Sequence, residues 1–210
     1  MHPLRQDGPV SSIRPYRTTD RSDVAEICIR TAAAGKDATG VYSDDNLLSD
    51  IWVLPYVDLE PDLAFVVDNG ERAAGYVVGV ADTRAFIERY RTEWLPRYAE
   101  KYGDLAETER DGGMVKLGLD PDRMAIPEVD EYPAHLHIDL LPELQRQGFG
   151  RKLIATLLAA LRERGVPGLH LGVASDNDDG RAFYSRLGFI ELPSSTPQSP
   201  VYGIRTDALV

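Results

Sequence analysis

The sequence predicts an α/β domain, and two stretches carry that expectation. Residues 63–67 and 74–80 are apolar, β-rich runs, and Asp68-Asn69-Gly70-Glu71 between them has the chemistry of a hairpin turn. Later, a strand-like run at 136–141 passes through a glycine-rich turn into an amphipathic stretch over 148–164. A second strand-like run follows at 169–173. With 210 residues, 43% of them hydrophobic, the chain fits one domain with a substantial core and room for an insertion.

The elements follow in order. Residues 1–11 read as a flexible lead-in, and 12–210 as the domain. Ile13-Arg14-Pro15-Tyr16 suits an edge strand, where proline is tolerated. Thr18-Thr19-Asp20 offers helix N-caps; Val24, Ile27 and Cys28 follow at helical spacing, and Gly35 closes that helix. A second short helix holds Asn46, Leu47, Leu48, Ile51 and Trp52 and is expected to end before Pro55. After the hairpin, residues 83–131 read as an insertion. Phe86, Tyr90, Trp94, Tyr98 and Tyr102 form an aromatic stripe on one helical face, which Pro96 must kink or restart. Residues 104–131, rich in Asp, Glu, Gly and Pro, are expected to be a long loop. In the last third, Leu153, Ile154, Leu157, Leu158 and Leu161 form the apolar face of a helix that Gly165-Val166-Pro167-Gly168 stops. A short helix over 181–187 is halted by Gly188, and Phe189-Ile190 and residues 201–204 are closing strands.

Composition narrows the function classes. A net charge of −11 argues against a nucleic-acid binder, which needs a basic face. Acidity aids solubility and can draw cationic substrates, or it reflects no more than an acidic proteome. No apolar run approaches the roughly 20 residues that span a bilayer, so no membrane role is expected. The N-terminus has no apolar signal region. The single cysteine, Cys28, excludes an intrachain disulfide and fits a reducing, cytoplasmic setting as a small buried hydrophobe. No metal site is read from the sequence.

Gln145-Arg146-Gln147-Gly148-Phe149-Gly150 sits between a strand and a helix. Glycines there let backbone amides approach a ligand, and the helix N-terminus favours an anion. Arg151 and Lys152 add positive charge. A P-loop would need Gly-Lys followed by Ser or Thr, and a dinucleotide fingerprint would need glycine at 153, where Leu stands. Taken alone, the segment is either an anion site or a turn eased by glycine.

The remaining pattern, Gln-x-x-Gly-x-Gly after a strand, resembles the acyl-CoA signature of the GNAT N-acetyltransferase superfamily. Downstream, Asn177 and then Phe183-Tyr184, ahead of Gly188-Phe189, are similar to the family's second signature. The resemblance implies the GNAT fold, a central mixed β-sheet flanked by helices, here with a helical and loop insertion before the cofactor-binding strand. It implies acetyl-CoA as cosubstrate, held by Gln145, Arg146, Gln147, Gly148, Phe149, Gly150, Arg151 and Lys152. Asn177 would contact the pantetheine arm, and Tyr184 would protonate the leaving thiolate. The pantetheine amides would meet backbone at Leu140 and Leu141, between two splayed parallel strands. The acceptor would be an amine, a small molecule or a lysine.

Amine acetylation also needs a proton acceptor. His135, His137 and Asp139 alternate along the strand before the glycine segment and share one face. Either histidine is a natural acceptor near pH 7, and Asp139 could orient a histidine or accept the proton itself. The same three groups could equally form a satisfied buried polar cluster. Family members also use the opposite face, which here carries Ala134, Leu136 and Ile138. His170, on the next strand, reads as structural.

The insertion adds a finer resemblance. Residues 81–87, Trp94-Leu95-Pro96, Glu100-Lys101-Tyr102 and residues 132–139 are similar to the acetyltransferase-like C-terminal domain of eukaryotic O-linked N-acetylglucosamine hydrolases. That domain is regarded as a pseudo-acetyltransferase with a degraded glycine loop, whereas Gln145, Gly148 and Gly150 are intact here. The resemblance implies a free-standing, bacterial-type relative that still binds cofactor. It leaves two readings, an active enzyme or a catalytically weak acetyl-CoA-binding module. The insertion is expected over the acceptor cleft or at a homodimer surface. Its aromatic stripe would serve packing, or line the acceptor pocket through Tyr90, Trp94 or Tyr98.

Overall fold

The computed structural model describes residues 11–33 and 35–210. The lead-in expected over 1–11 therefore lies, apart from Ser11, outside the described residues. Seven strands form one mixed sheet in the order β1-β2-β3-β4-β5-β7-β6. They are β1 (Ser12–Pro15), β2 (Ala64–Asp68), β3 (Ala73–Val80), β4 (Ala134–Leu140), β5 (Gly168–Gly172), β6 (Ile190–Glu191) and β7 (Val201–Arg205). Every neighbouring pair is antiparallel except β4–β5, which is parallel. The hairpin read from Asp68-Asn69-Gly70 is β2–β3, with Gly70 at a φ of 94°. Proline-bearing β1 is an edge strand, as its sequence requires.

The helices are α1 (Arg21–Thr31), α2 (Asn46–Trp52), α3 (Leu54–Leu59), α4 (Thr83–Arg89), α5 (Leu95–Tyr102), α6 (Gly112–Leu119), α7 (Phe149–Glu163) and α8 (Asp178–Arg186). Gly35, at a φ of 83°, closes α1 by donating its N–H to Thr31 O. None of the described helices is long and apolar enough to cross a membrane. Helix α7 packs against β2, β3 and β4. Its face of Leu153, Ile154, Leu157, Leu158 and Leu161 is almost wholly buried, as the apolar periodicity predicts. A Cβ on Gly79 would come within 3.0 Å of Leu157, so the face of β4 level with Gly79 looks toward α7. Gly79 pairs with Leu136, which puts Ala134, Leu136, Ile138 and Leu140 on that face. His135, His137 and Asp139 face the other way, toward α1, α2 and α3.

Helix α2 ends at Trp52, before Pro55 as expected. A helix restarts at once as α3 with proline in its first turn, where the missing N–H would have had no intrahelical partner anyway. Tyr56 is thereby carried into the core. One expectation further along needs correction: residues 104–131 are not one long loop, because they contain α6 and a 3₁₀ turn over Pro121–Met124. Their acidic and glycine residues serve local structure. Asp111, 1% exposed, accepts the Ser43 amide at 2.9 Å, and Asp120 caps the 3₁₀ turn through the Asp122 amide. The aromatic stripe serves packing and lines no part of the cleft described below.

The stripe's geometry follows from Pro96. Each four-residue step overshoots a 3.6-residue turn by about 40°. A wider π turn over Tyr90–Trp94, just before the proline, takes back part of that drift. All five aromatics stay buried. Their polar ends are used inside the fold: Tyr90 Oη donates to Gly118 O at 2.9 Å, and Trp94 Nε1 donates to Asp50 O at 3.0 Å.

Candidate active site

The sheet opens at its one parallel pair. β4 and β5 pair at Ala134–Leu169 and His135–His170, and no ladder pairing continues beyond. On its other edge β4 stays paired with β3 as far as Leu140, and the Leu141 amide bonds Ala74 O at 3.0 Å. In an antiparallel ladder successive residues turn their amide groups to opposite sides. Odd-numbered residues of β4 therefore bond β3, and Ile138 and Leu140 turn their N–H and C=O groups toward the gap. A groove of ≈510 Å³ runs along this gap, lined by Ile138, Asp139, Leu140, the glycine segment, Asn177 and Tyr184.

One end of the groove is built for an anion. Arg146 has a φ of 60° and Gly148 of 82°, two left-handed positions that curl the chain before α7. Gly148 occupies the N-cap of α7, where Ser or Asp would accept a first-turn amide. Glycine cannot, so among the described residues the amides of Phe149, Gly150 and Arg151 have no partner, and the first backbone bond is from Lys152 to Gly148 O. The helix dipole adds to their partial positive charge. Gly150, which lines the groove, also has a packing reason to be small. A Cβ there would meet the Phe183 ring at 3.0 Å and Leu140 Cδ1 at 3.6 Å. Gln145 Nε2 donates to Leu140 O at 3.0 Å and ties the loop to the strand.

The structure sorts the expected cofactor residues. Leu140, Gln145, Arg146, Gly148, Gly150, Asn177 and Tyr184 line the groove. Leu141 does not: its amide is spent on Ala74 and its side chain is fully buried, whereas Ile138 does line the groove. Phe149 buries its ring in the core, and Gln147 turns back to Glu143 O. Arg151 and Lys152 are exposed, and the Lys152 ammonium lies over the Phe149 ring.

Asn177 and Tyr184 close the groove from α8. Asn177 Oδ1 caps that helix by accepting the Gly180 amide at 2.8 Å, leaving its Nδ2 donors for the groove. The Tyr184 hydroxyl makes no hydrogen bond to another described residue. Burial, and then the charge of Asp139, push its pKa above the usual phenol value. It is thus a proton donor at neutral pH.

The polar face of β4 splits into two environments. Asp139 does not orient a histidine. Its carboxylate accepts a short hydrogen bond from Tyr76, the residue directly opposite on β3. Burial raises the Asp139 carboxyl to about 6, against the opposing pull of the Tyr76 hydrogen bond. The histidines share a different partner: Tyr56 Oη lies 3.0 Å from His135 Nε2 and 2.9 Å from His137 Nε2. The Thr83 hydroxyl donates to Pro133 O at 2.7 Å and lies 2.8 Å from His135 Nδ1. These contacts assign the tautomers. His135 donates from Nδ1 to Thr83 and accepts the Tyr56 proton at Nε2. Tyr56 in turn accepts Nε2–H of His137, whose Nδ1 keeps its lone pair. Burial holds His135 well below the usual imidazole value and His137 at about 3, so both are neutral at pH 7. The reading of a satisfied polar cluster describes His135 well. His170 is structural, with Nδ1 2.7 Å from Tyr132 O.

Asp139, His137 and Tyr184 meet around a smaller cavity of ≈250 Å³, next to the open groove. That cavity shares Trp52, Leu136, His137, Leu171 and Gly172 with a third one of ≈600 Å³ on the side of the insertion. Sequence reading missed Tyr76, Tyr56, Trp52 and Arg123. Tyr76 was visible only as a strand residue, and its partnership with Asp139 depends on register. Tyr56 lies on α3, a separate helix that follows α2 directly and that no sequence signal announced.

Comparison with known proteins agrees with this architecture. Residues 36–189 match the model of the acetyltransferase (GNAT) family. Protein O-GlcNAcase of Rattus norvegicus is 28% identical over 200 residues, covering 90% of this chain and 21% of that protein. The chain thus spans about a fifth of the length of that relative. Ribosomal protein bS18-alanine N-acetyltransferase of Escherichia coli K12 is 39% identical over 69 residues, 33% of this chain and 47% of that one. Among solved structures, SsHAT is 48% identical, with a TM-score of 0.88 over 94% of this chain and 99% of its own. The structure of yncA from Salmonella typhimurium with its cofactor acetyl-CoA shares the fold at 15% identity, with a TM-score of 0.55 over 94% of each chain. An opened parallel strand pair, an uncapped helix N-terminus beside it and a family match across most of the chain lead to one conclusion: this protein belongs to the acetyltransferase (GNAT) family.

Proposed function

We propose that this chain binds acetyl-CoA in the β4–β5 groove and transfers the acetyl group to an amine. The observation that carries this is the continuity of the groove. It has unpaired helix amides and Arg146 at one end, free strand amides along its length, and Asp139 and Tyr184 at the other. A pyrophosphate fits the first, a pantetheine the second, and an acyl transfer needs the third. Acetyl-CoA would supply the activated acetyl group. A cytoplasmic setting belongs to the same proposal, resting on the buried Cys28 thiol.

The residues divide the proton work. As the N–C bond to the acetyl carbon forms and the C–S bond breaks, the amine nitrogen must lose a proton and the sulfur must gain one. Asp139, at about 6, is ionised at neutral pH yet basic enough to accept the first. His137, at about 3, is the poorer base, so its lone pair on Nδ1 positions the incoming amine by accepting an N–H. Tyr184 gives its proton to the sulfur. Asp139 then releases its proton to solvent and Tyr184 recovers one, which closes the balance.

Calorimetry with acetyl-CoA, followed by thiol-release assays with amines, tests the proposal. Absence of binding at millimolar acetyl-CoA refutes it. Binding without release above the buffer rate favours the second reading, a cofactor-binding module. That reading is motivated by the engagement of both imidazoles with Tyr56, which leaves Asp139 as the one strong acceptor on this face.

A further inference from the structure

The large cavity beyond His137 is lined by one cationic residue and no carboxylate, in a protein that carries 34 acidic and 23 basic residues. That residue is Arg123, at the end of the insertion. Four other arginines of the insertion, Arg84, Arg89, Arg91 and Arg97, are each paired with a carboxylate, and Arg110 spends its guanidinium on the carbonyls of Gly40, Val41 and Tyr42. Among the described residues Arg123 has no carboxylate partner. It donates Nε–H to Leu117 O at 2.6 Å, and its guanidinium lies 4.5 Å from the Trp52 ring centroid. Neither contact neutralises its charge or uses its terminal N–H fork. Trp52 in turn meets the His137 ring edge-on at 5.3 Å. Arg123, Trp52 and His137 thus form one wall leading from the far end of the cavity to the acyl-transfer end. The charge of Arg123 is felt along that wall, adding to burial in lowering both His135 and His137.

We propose that the acceptor is a small amine that also carries an anionic group, a carboxylate or a phosphate, and that Arg123 binds that group while the amine reaches Asp139. This rests on the acetyltransferase reading above and names its substrate class. A forked guanidinium stacked on an aromatic ring is pre-organised for two parallel bonds to an oxyanion. Asp139 at one end and Arg123 at the other match a zwitterion in one orientation only. Ser194, Gln198 and Ser199 add neutral polar residues to the lining. Polyamines fit poorly, because a second ammonium would face an unpaired guanidinium with no carboxylate beside it.

The test uses matched amines in the thiol-release assay with the full chain. ω-Amino carboxylates of two to six carbons are compared with their amides, and aminoalkyl phosphates with the corresponding amino alcohols. Spermidine is the cationic control. The length series allows for the reach between Asp139 and Arg123, and the two anion types separate carboxylate from phosphate. The expected result is a kcat/KM at least tenfold higher for one anionic series than for its neutral partners. Arg123→Ala abolishes that preference mainly through KM, Arg123→Lys keeps part of it, and Arg123→Glu raises activity on spermidine. Equal activity on anionic and neutral amines overturns the proposal, as does an undiminished preference in Arg123→Ala. The same amines are titrated calorimetrically with and without coenzyme A present. Loss of acetyl-CoA binding alone counts against the functional reading. Failure of the anionic amines to bind in both states counts against the acceptor class.

Discussion

Replacing Asp139 by asparagine tests the proton acceptor and its environment together. The carboxyl has an ordinary value of 3.8 and is held at about 6 in the fold. Ionising it in the folded chain therefore costs about 3 kcal/mol more than in the unfolded one. The sign follows from proton counting. Between these two values the folded state holds the proton more tightly, so this group's contribution is fully present below the lower value and is lost as pH rises through the upper one. The wild type should lose about 2 kcal/mol from this source between pH 4 and pH 7, and Asp139→Asn should not. Urea unfolding of both proteins at the two pH values isolates the effect as a difference of differences, because other titrating groups cancel. Any difference between the neutral carboxyl and the amide as partners of Tyr76 shifts Asp139→Asn at both pH values alike. In the thiol-release assay, wild-type kcat/KM should gain an extra factor of about ten per pH unit below about pH 6, on top of the rise that the substrate amine imposes at every pH below its own value. Asp139→Asn should lose about 10²- to 10⁴-fold in kcat/KM, with acetyl-CoA affinity unchanged. A variant that keeps a tenth of the activity and the same acid limb would remove Asp139 from the proton path. A pH-independent stability difference between the two proteins would contradict the raised carboxyl.

Other substitutions probe the rest of the site. Tyr184→Phe should bind acetyl-CoA normally while releasing thiol roughly 10- to 100-fold more slowly, and unchanged turnover would take the hydroxyl out of the mechanism. Gly150→Asp places a Cβ 3.0 Å from the Phe183 ring and a carboxylate beside the helix N-terminus. Calorimetry should show acetyl-CoA binding weakened by at least about tenfold, with wild-type affinity arguing against a pyrophosphate there. Tyr56→Phe leaves Nε2 of both His135 and His137 without a protein partner and should cost about 1–3 kcal/mol in urea unfolding. A loss below about 0.5 kcal/mol would mean that the two rings find other partners. Gly118→Ala drives a methyl into the Tyr98 ring and should cost about 1–3 kcal/mol; neutral stability would show that the stripe packs loosely.

The sequence by itself determined everything that depends on neighbours along the chain. Hairpin chemistry at Asp68-Asn69-Gly70, the apolar face of α7, the stop at Gly165 and the sharing of one face by His135, His137 and Asp139 all follow from turn residues and from periods of 2 and 3.6. The anion-ready turn was legible for the same reason, since an uncapped helix start and a left-handed glycine are local properties of Gly148. Tertiary structure decided the partners. Asp139 pairs with Tyr76, not with a histidine, because β3 and β4 register those two side by side across a separation of 63 residues. Tyr56 joins the histidines because Pro55 starts a helix, and a proline signal in sequence reads equally as a stop or a start. Arg123 came from a segment that looked like loop, and its charge matters because Trp52, from a distant helix, holds it over a cavity without carboxylates. A net charge of −11 said nothing of this, because a site responds to the few charges that line it and the remainder are screened by solvent.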